Sequence, residues 1–128
     1  MHVCGVDVWR RLSLPLIGGV GCVAQATVQS EKTAGIVRVK RRHYAVAQSE
    51  WQTVVAELGR ARLAHSSIQG SEPGSPAARR SEIKASRLEQ IVGELAAKVD
   101  TAAEELRCAE VASEKAEACR TRLLAAVR

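Results

Sequence analysis

Phenylalanine is absent from this chain, and two tryptophans and one tyrosine are its whole aromatic content in 128 residues. Dense globular cores lean on such side chains, so burial here has to come from long seams of alanine, valine and leucine. Proline is scarce as well, with Pro15, Pro73 and Pro76 only, so long stretches on both sides of the last two are free of the strongest helix breaker. The apolar stretch at residues 12–23 is short and rich in Gly and Pro, which excludes a bilayer-spanning helix there. Cys4, Cys22, Cys108 and Cys119 form no CxxC and no His/Cys ligand spacing, an argument against zinc. On one helix Cys108 and Cys119 would stand about 16 Å apart, beyond disulfide reach within a chain, so they read as small apolar residues on a reduced helix, with an intermolecular disulfide the lesser alternative.

Catalytic signatures are missing too. No nucleophile elbow, phosphate loop, HExxH or dinucleotide fingerprint is present. Glu104 and Glu105 are neighbours and point different ways on a helix, and His2, His43 and His65 are far apart in sequence. The expectation is a non-enzymatic chain with no cofactor, no metal site and no catalytic residues.

What the chain does have is a seven-residue repeat, interrupted once. Val37, Tyr44, Trp51, Leu58 and His65 recur at seven, interleaved with Lys40, Ala47, Val54, Ala61 and Ile68. After the break the set is Ala85, Val92, Val99 and Leu106, interleaved with Leu88, Leu95, Ala102, Ala109, Ala116 and Leu123. Alternating steps of three and four keep one seam on a single helix face, and a second helix must cover it. The break, Gln69-Gly70-Ser71-Glu72-Pro73-Gly74-Ser75-Pro76, offers Gly70 for the end of the first helix and a Ser75 cap with Pro76 in the first position of the second.

The predicted fold is therefore all-α: an antiparallel two-helix coiled-coil hairpin with a poorly structured N-terminal segment. Its expected parts are a flexible or signal-like segment at 1–35, a helix at 36–68, a turn at 69–75 and a helix at 76–127. Such helices would measure about 50 and about 75 Å. About a third of the longer one would then be exposed, cover the N-terminal segment or meet a partner. The expected core seam is Tyr44, Trp51, Val54 and Leu58 against Leu88, Val92, Leu95, Val99 and Leu106. Ser113 and Arg120 take seam positions late in the second helix, where polar residues fix register or mark the end of the internal partner.

Charge is unevenly placed. The net charge is +5, and residues 1–43 account for all of it, the rest of the chain balancing. Arg38, Lys40, Arg41 and Arg42 make a basic patch at the expected start of the first helix, suited to an acidic protein surface, nucleic acid or anionic lipid. The run is too short for a basic-zipper DNA reader, and no Asn-x-x-Ala-Ala element precedes it, so nucleic acid is the less favoured partner.

The first residues pull in another direction. Trp9-Arg10-Arg11, the apolar stretch and the small pair Ala24 and Ala26 resemble a secretory signal peptide cleaved after Ala26. Asp7 and the departures from lipoprotein and twin-arginine patterns count against it.

From Ile36 onward the string Ile36-Val37-Arg38-Val39-Lys40-Arg41-Arg42-His43-Tyr44-Ala45-Val46-Ala47-Gln48 resembles the central-stalk proteins of flagellar and type III secretion ATPases, the FliJ/YscO type. In that family an arginine-rich helix start feeds an alanine-rich heptad helix, a turn and a longer charged return helix. The resemblance spans roughly residues 36–128. It implies a cytoplasmic two-helix stalk or scaffold that docks on a ring ATPase or an export-gate subunit, through the basic residues Arg38, Lys40, Arg41 and Arg42. The family has no counterpart of the first thirty-five residues. The alternatives are an exported envelope protein and a nucleic-acid-associated coiled coil; dimerisation stays open under all three.

Overall fold

A computed structural model describes residues 19–127, with side chains from residue 21 onward. Two helices account for nearly all of them, α1 (Gly19–Ser71) and α2 (Pro76–Val127), and no strand occurs among the described residues. They pack against each other as an antiparallel hairpin. No helix among the described residues is long and apolar enough to cross a membrane.

The turn is tighter than expected. Residues 69–71 continue α1, so the reversal takes residues 72–75 alone. Gly70 is inside the helix, and the left-handed position falls instead on Gly74, at φ +72°. Glu72 N–H closes the last turn on the Ile68 carbonyl (2.7 Å), and Ser75 N–H bonds to the Glu72 carbonyl. The Ser75 hydroxyl then accepts from Ala78 N–H at 3.1 Å, capping α2, while Pro76 occupies the first helical position, where its missing N–H costs nothing.

The larger departure is at the other end of α1. It begins at Gly19, not at Ile36, so the part of the expected flexible segment that lies at 19–35 is helical. The expected features at residues 1–18 lie outside the described residues, while the expected cleavage point after Ala26 lies within α1. The physical reason is that the heptad does not begin at Val37. Stepping back by four and three from that residue gives Thr33, Ser30, Ala26 and Val23, and all four are buried or half-buried. The helices are consequently almost equal, 53 and 52 residues, and the late part of α2 is covered by the early part of α1.

The chain divides into two compact units. In the first, formed by Met1–His43 with Ala103–Arg128, Thr33 and Val37 of α1 and Ala109 and Ala116 of α2 are buried. Thr33 hides its hydroxyl by donating to the Gln29 and Ser30 carbonyls, both at 3.0 Å, so no polar group is left unsatisfied there. The polar seam residues of α2 mark no end to the pairing. Arg120 reaches across to the Thr27 hydroxyl at 3.3 Å, and Glu117 accepts from the Ser30 hydroxyl. That hydroxyl, followed by the nearby Arg120 guanidinium, holds the Glu117 carboxyl below its ordinary value.

The second unit is Tyr44–Ala102. Leu58, Ala61 and Ala85 form its buried cluster, with Leu88 and Val92 packed alongside. Alanines at Ala61, Ala78 and Ala85 remove the bulk that would hold two helices apart, so a leucine knob finds a small partner opposite. His65 is half-buried near the turn. Its Nδ1 lies 2.7 Å from the Ser81 oxygen, whose hydroxyl donates to the Ala78 carbonyl. A serine that donates to backbone leaves the imidazole to donate to it, so the pair is a polar seam contact and not an activated nucleophile.

Candidate protein-docking face

Every seam residue expected from the repeat is buried or half-buried: Tyr44, Trp51, Val54 and Leu58 on α1, and Leu88, Val92, Leu95, Val99 and Leu106 on α2. Leu58 is the deepest of these, and Trp51 keeps part of its ring in solvent. These side chains hold the hairpin together and are spent on that task.

The basic patch behaves differently from the expectation. Because α1 starts at Gly19, Arg38, Lys40, Arg41 and Arg42 lie well inside the helix and not at its start. The four also divide by direction. Lys40 falls on the seam edge and its ammonium is 3.1 Å from a Glu105 carboxylate oxygen. Arg41, one residue on, stands 4.0 Å from Glu110. Both pairs are solvent-facing, worth at most about 1 kcal/mol each, so they set alignment more than stability.

Arg38 and Arg42 point away from α2 and form no ion pair with any described residue. The Arg38 guanidinium extends back over Gly35, close to where a side chain there would begin. Val39, three residues before Arg42, adjoins it on the helix surface and is 45% exposed, and Ile36, three residues before Val39 and 44% exposed, continues that face on the side away from Arg38. Neither is on the heptad seam, so reading the seam alone passed over them. The signal was present as a second stripe, Val28, Lys32, Ile36, Val39 and His43, stepping by four and three across the outer face of α1. Val28 is also exposed. The result is a solvent-facing strip of aliphatic groups that includes Lys32 and is bordered by Arg42, with Arg38 beyond it.

Among the described residues no cluster of three His, Cys, Asp or Glu side chains could hold a metal ion. Cys108 is disulfide-bonded, which departs from the reduced thiol expected at that position. A shallow groove near Ser30 and Ala34 is lined across the helix pair by Ser113, Glu114, Glu117 and Arg122, and is open to solvent. Set against known proteins, the chain matches no family model, no curated protein and no solved structure.

Proposed function

We propose that this chain is a non-enzymatic coiled-coil scaffold that docks on an acidic protein surface through the outward face of α1. The observation that carries this reading is an uncompensated pair of arginines, Arg38 and Arg42, whose Arg42 adjoins exposed Val39 and, beyond it, exposed Ile36, on a helix stiffened from behind by the buried Val37 seam. Cations with interleaved aliphatic groups suit a protein surface, where apolar contact adds to charge. A phosphate backbone would use the charges alone. Lys40 and Arg41 contribute less, since each already faces a glutamate of α2.

Within that class, the resemblance to secretion-ATPase stalk proteins supplies the specific partner: a ring ATPase or an export-gate subunit, in the cytoplasm. The docking face on this reading is the middle of a helix pair and not a helix tip. Binding of the full chain to a purified flagellar-type ATPase, and to the soluble domain of an export-gate subunit, tests it. Binding should occur with one of them and be lost in Arg38→Glu/Arg42→Glu, with helicity unchanged. Failure of the unmodified chain to bind either would refute the stalk reading.

A further inference from the structure

We infer that α2 carries a second docking surface, for an acidic amphipathic helix of a protein partner, built from Arg80, Ile83, Lys84, Arg87 and Ile91 beside the half-buried Leu88. These six side chains line one open groove along a single helix of the second unit. Ile83 and Ile91 are 54% and 41% exposed, and neither belongs to the seam that packs α2 on α1. Folding does not account for them.

Nor does folding account for the charges. Arg80, Lys84 and Arg87 form no ion pair with any described residue. Arg80 lies just past the first turn of α2, which has no acidic residue to pair with it. The carboxylate in this stretch, Glu82, lies on the far flank, and Glu89 is engaged by Arg62 of α1 at 2.8 Å. A linear charge count understates the patch because these acids offset part of it in sequence but not in space.

The geometry selects the partner's chemistry. Ile83 and Ile91 are two turns apart, about 12 Å along the axis, the separation between anchor side chains seven or eight residues apart on a partner helix. Apolar anchors of that helix would lie between the isoleucines, with carboxylates on its flanks reaching Arg80, Lys84 and Arg87. Phosphate binding has no use for the isoleucines, and two isoleucines are a narrow face for burial in a lipid interface. This surface shares no residue with the Arg38–Arg42 face, so it stands or falls independently of the stalk reading.

The test is fluorescence anisotropy of the full chain with a labelled synthetic helical peptide carrying leucines at seven-residue spacing flanked by glutamates. Saturable binding is expected. Ile83→Ser/Ile91→Ser and Arg80→Glu/Arg87→Glu should each weaken it about tenfold or more, equivalent to about 1.4 kcal/mol, with melting temperature unchanged. Arg38→Glu/Arg42→Glu should leave it intact. Absence of binding overturns the inference, as does equal binding of a control peptide with serine in place of leucine. Tighter, variant-sensitive binding to phosphatidylserine vesicles or duplex DNA would likewise overturn it. A dimer dissolved by both α2 variants would assign the surface to a second copy and end the proposal.

Discussion

Leu58 and Leu63 lie five residues apart on α1, have the same side chain, and should respond to truncation in opposite ways. Leu58 is 6% exposed and sits in the cluster with Ala61 and Ala85; Leu63 is 74% exposed and faces water. Leu58→Ala removes the equivalent of about three methylenes at about 0.8 kcal/mol each, before any term for the void. The void is hard to close. Ala61 and Ala85 have nothing further to swing into it, and only Leu88 and Val92, already half-exposed, can lean inward. The expected loss is about 3 kcal/mol, within the range for buried Leu→Ala changes. For a chain of this size that is a fall of about 12 °C in melting temperature followed by circular dichroism. Leu63→Ala removes little buried area and should stay within about 0.5 kcal/mol of the parent. Equal losses at the two sites, or an unchanged melting temperature in Leu58→Ala, would refute the assignment of the seam.

Glycine and capping positions give further tests. Gly59→Ala has open space around the new methyl in mid-helix and should stabilise by about 1 kcal/mol, read from the denaturant midpoint. Gly74→Ala places a side chain at φ +72° and should destabilise the turn, raising the unfolding rate. Loss of the Ser75 cap in Ser75→Ala should cost about 1 kcal/mol. Glu117 adds a pH dependence: its carboxyl titrates below the ordinary 4.5, so its contribution to stability is complete above that value and disappears as pH falls through the lower, folded one. Denaturant titrations of Glu117→Gln should show a shallower loss of stability across that acid interval than the parent, and parallel curves would remove Glu117 from the account.

The seam was legible because its chemistry is periodic. Tyr44, Trp51, Leu58, Leu88, Leu95 and Leu106 announce one face each by size alone, and Ser75-Pro76 marks where α2 begins. The early part of α1 was hidden for the opposite reason. Its seam residues are Val23, Ala26, Ser30 and Thr33, small or polar, and they follow a glycine-rich stretch that mimics a leader. What makes them a seam is the equally polar Glu117 and Arg120 across the pair, a complementarity that no single-strand pattern displays. Missing that extension misplaced the basic residues at a helix start. It also left the end of α2 without a cover. The basic-apolar surface of α2 escaped because a balanced count of charges in sequence says nothing about which side of a helix each occupies.

Amide hydrogen exchange of the full chain, followed by mass spectrometry at the level of residues 21–35, tests the central claim most directly. If that segment is helix held on residues 109–120, its amides should be protected well beyond coil rates, and Ala116→Asp should release them while leaving the segment at 44–61 protected. Exchange of residues 21–35 at coil rates in the unmodified chain would contradict the paired architecture and, with it, the placement of the docking face in the middle of a helix.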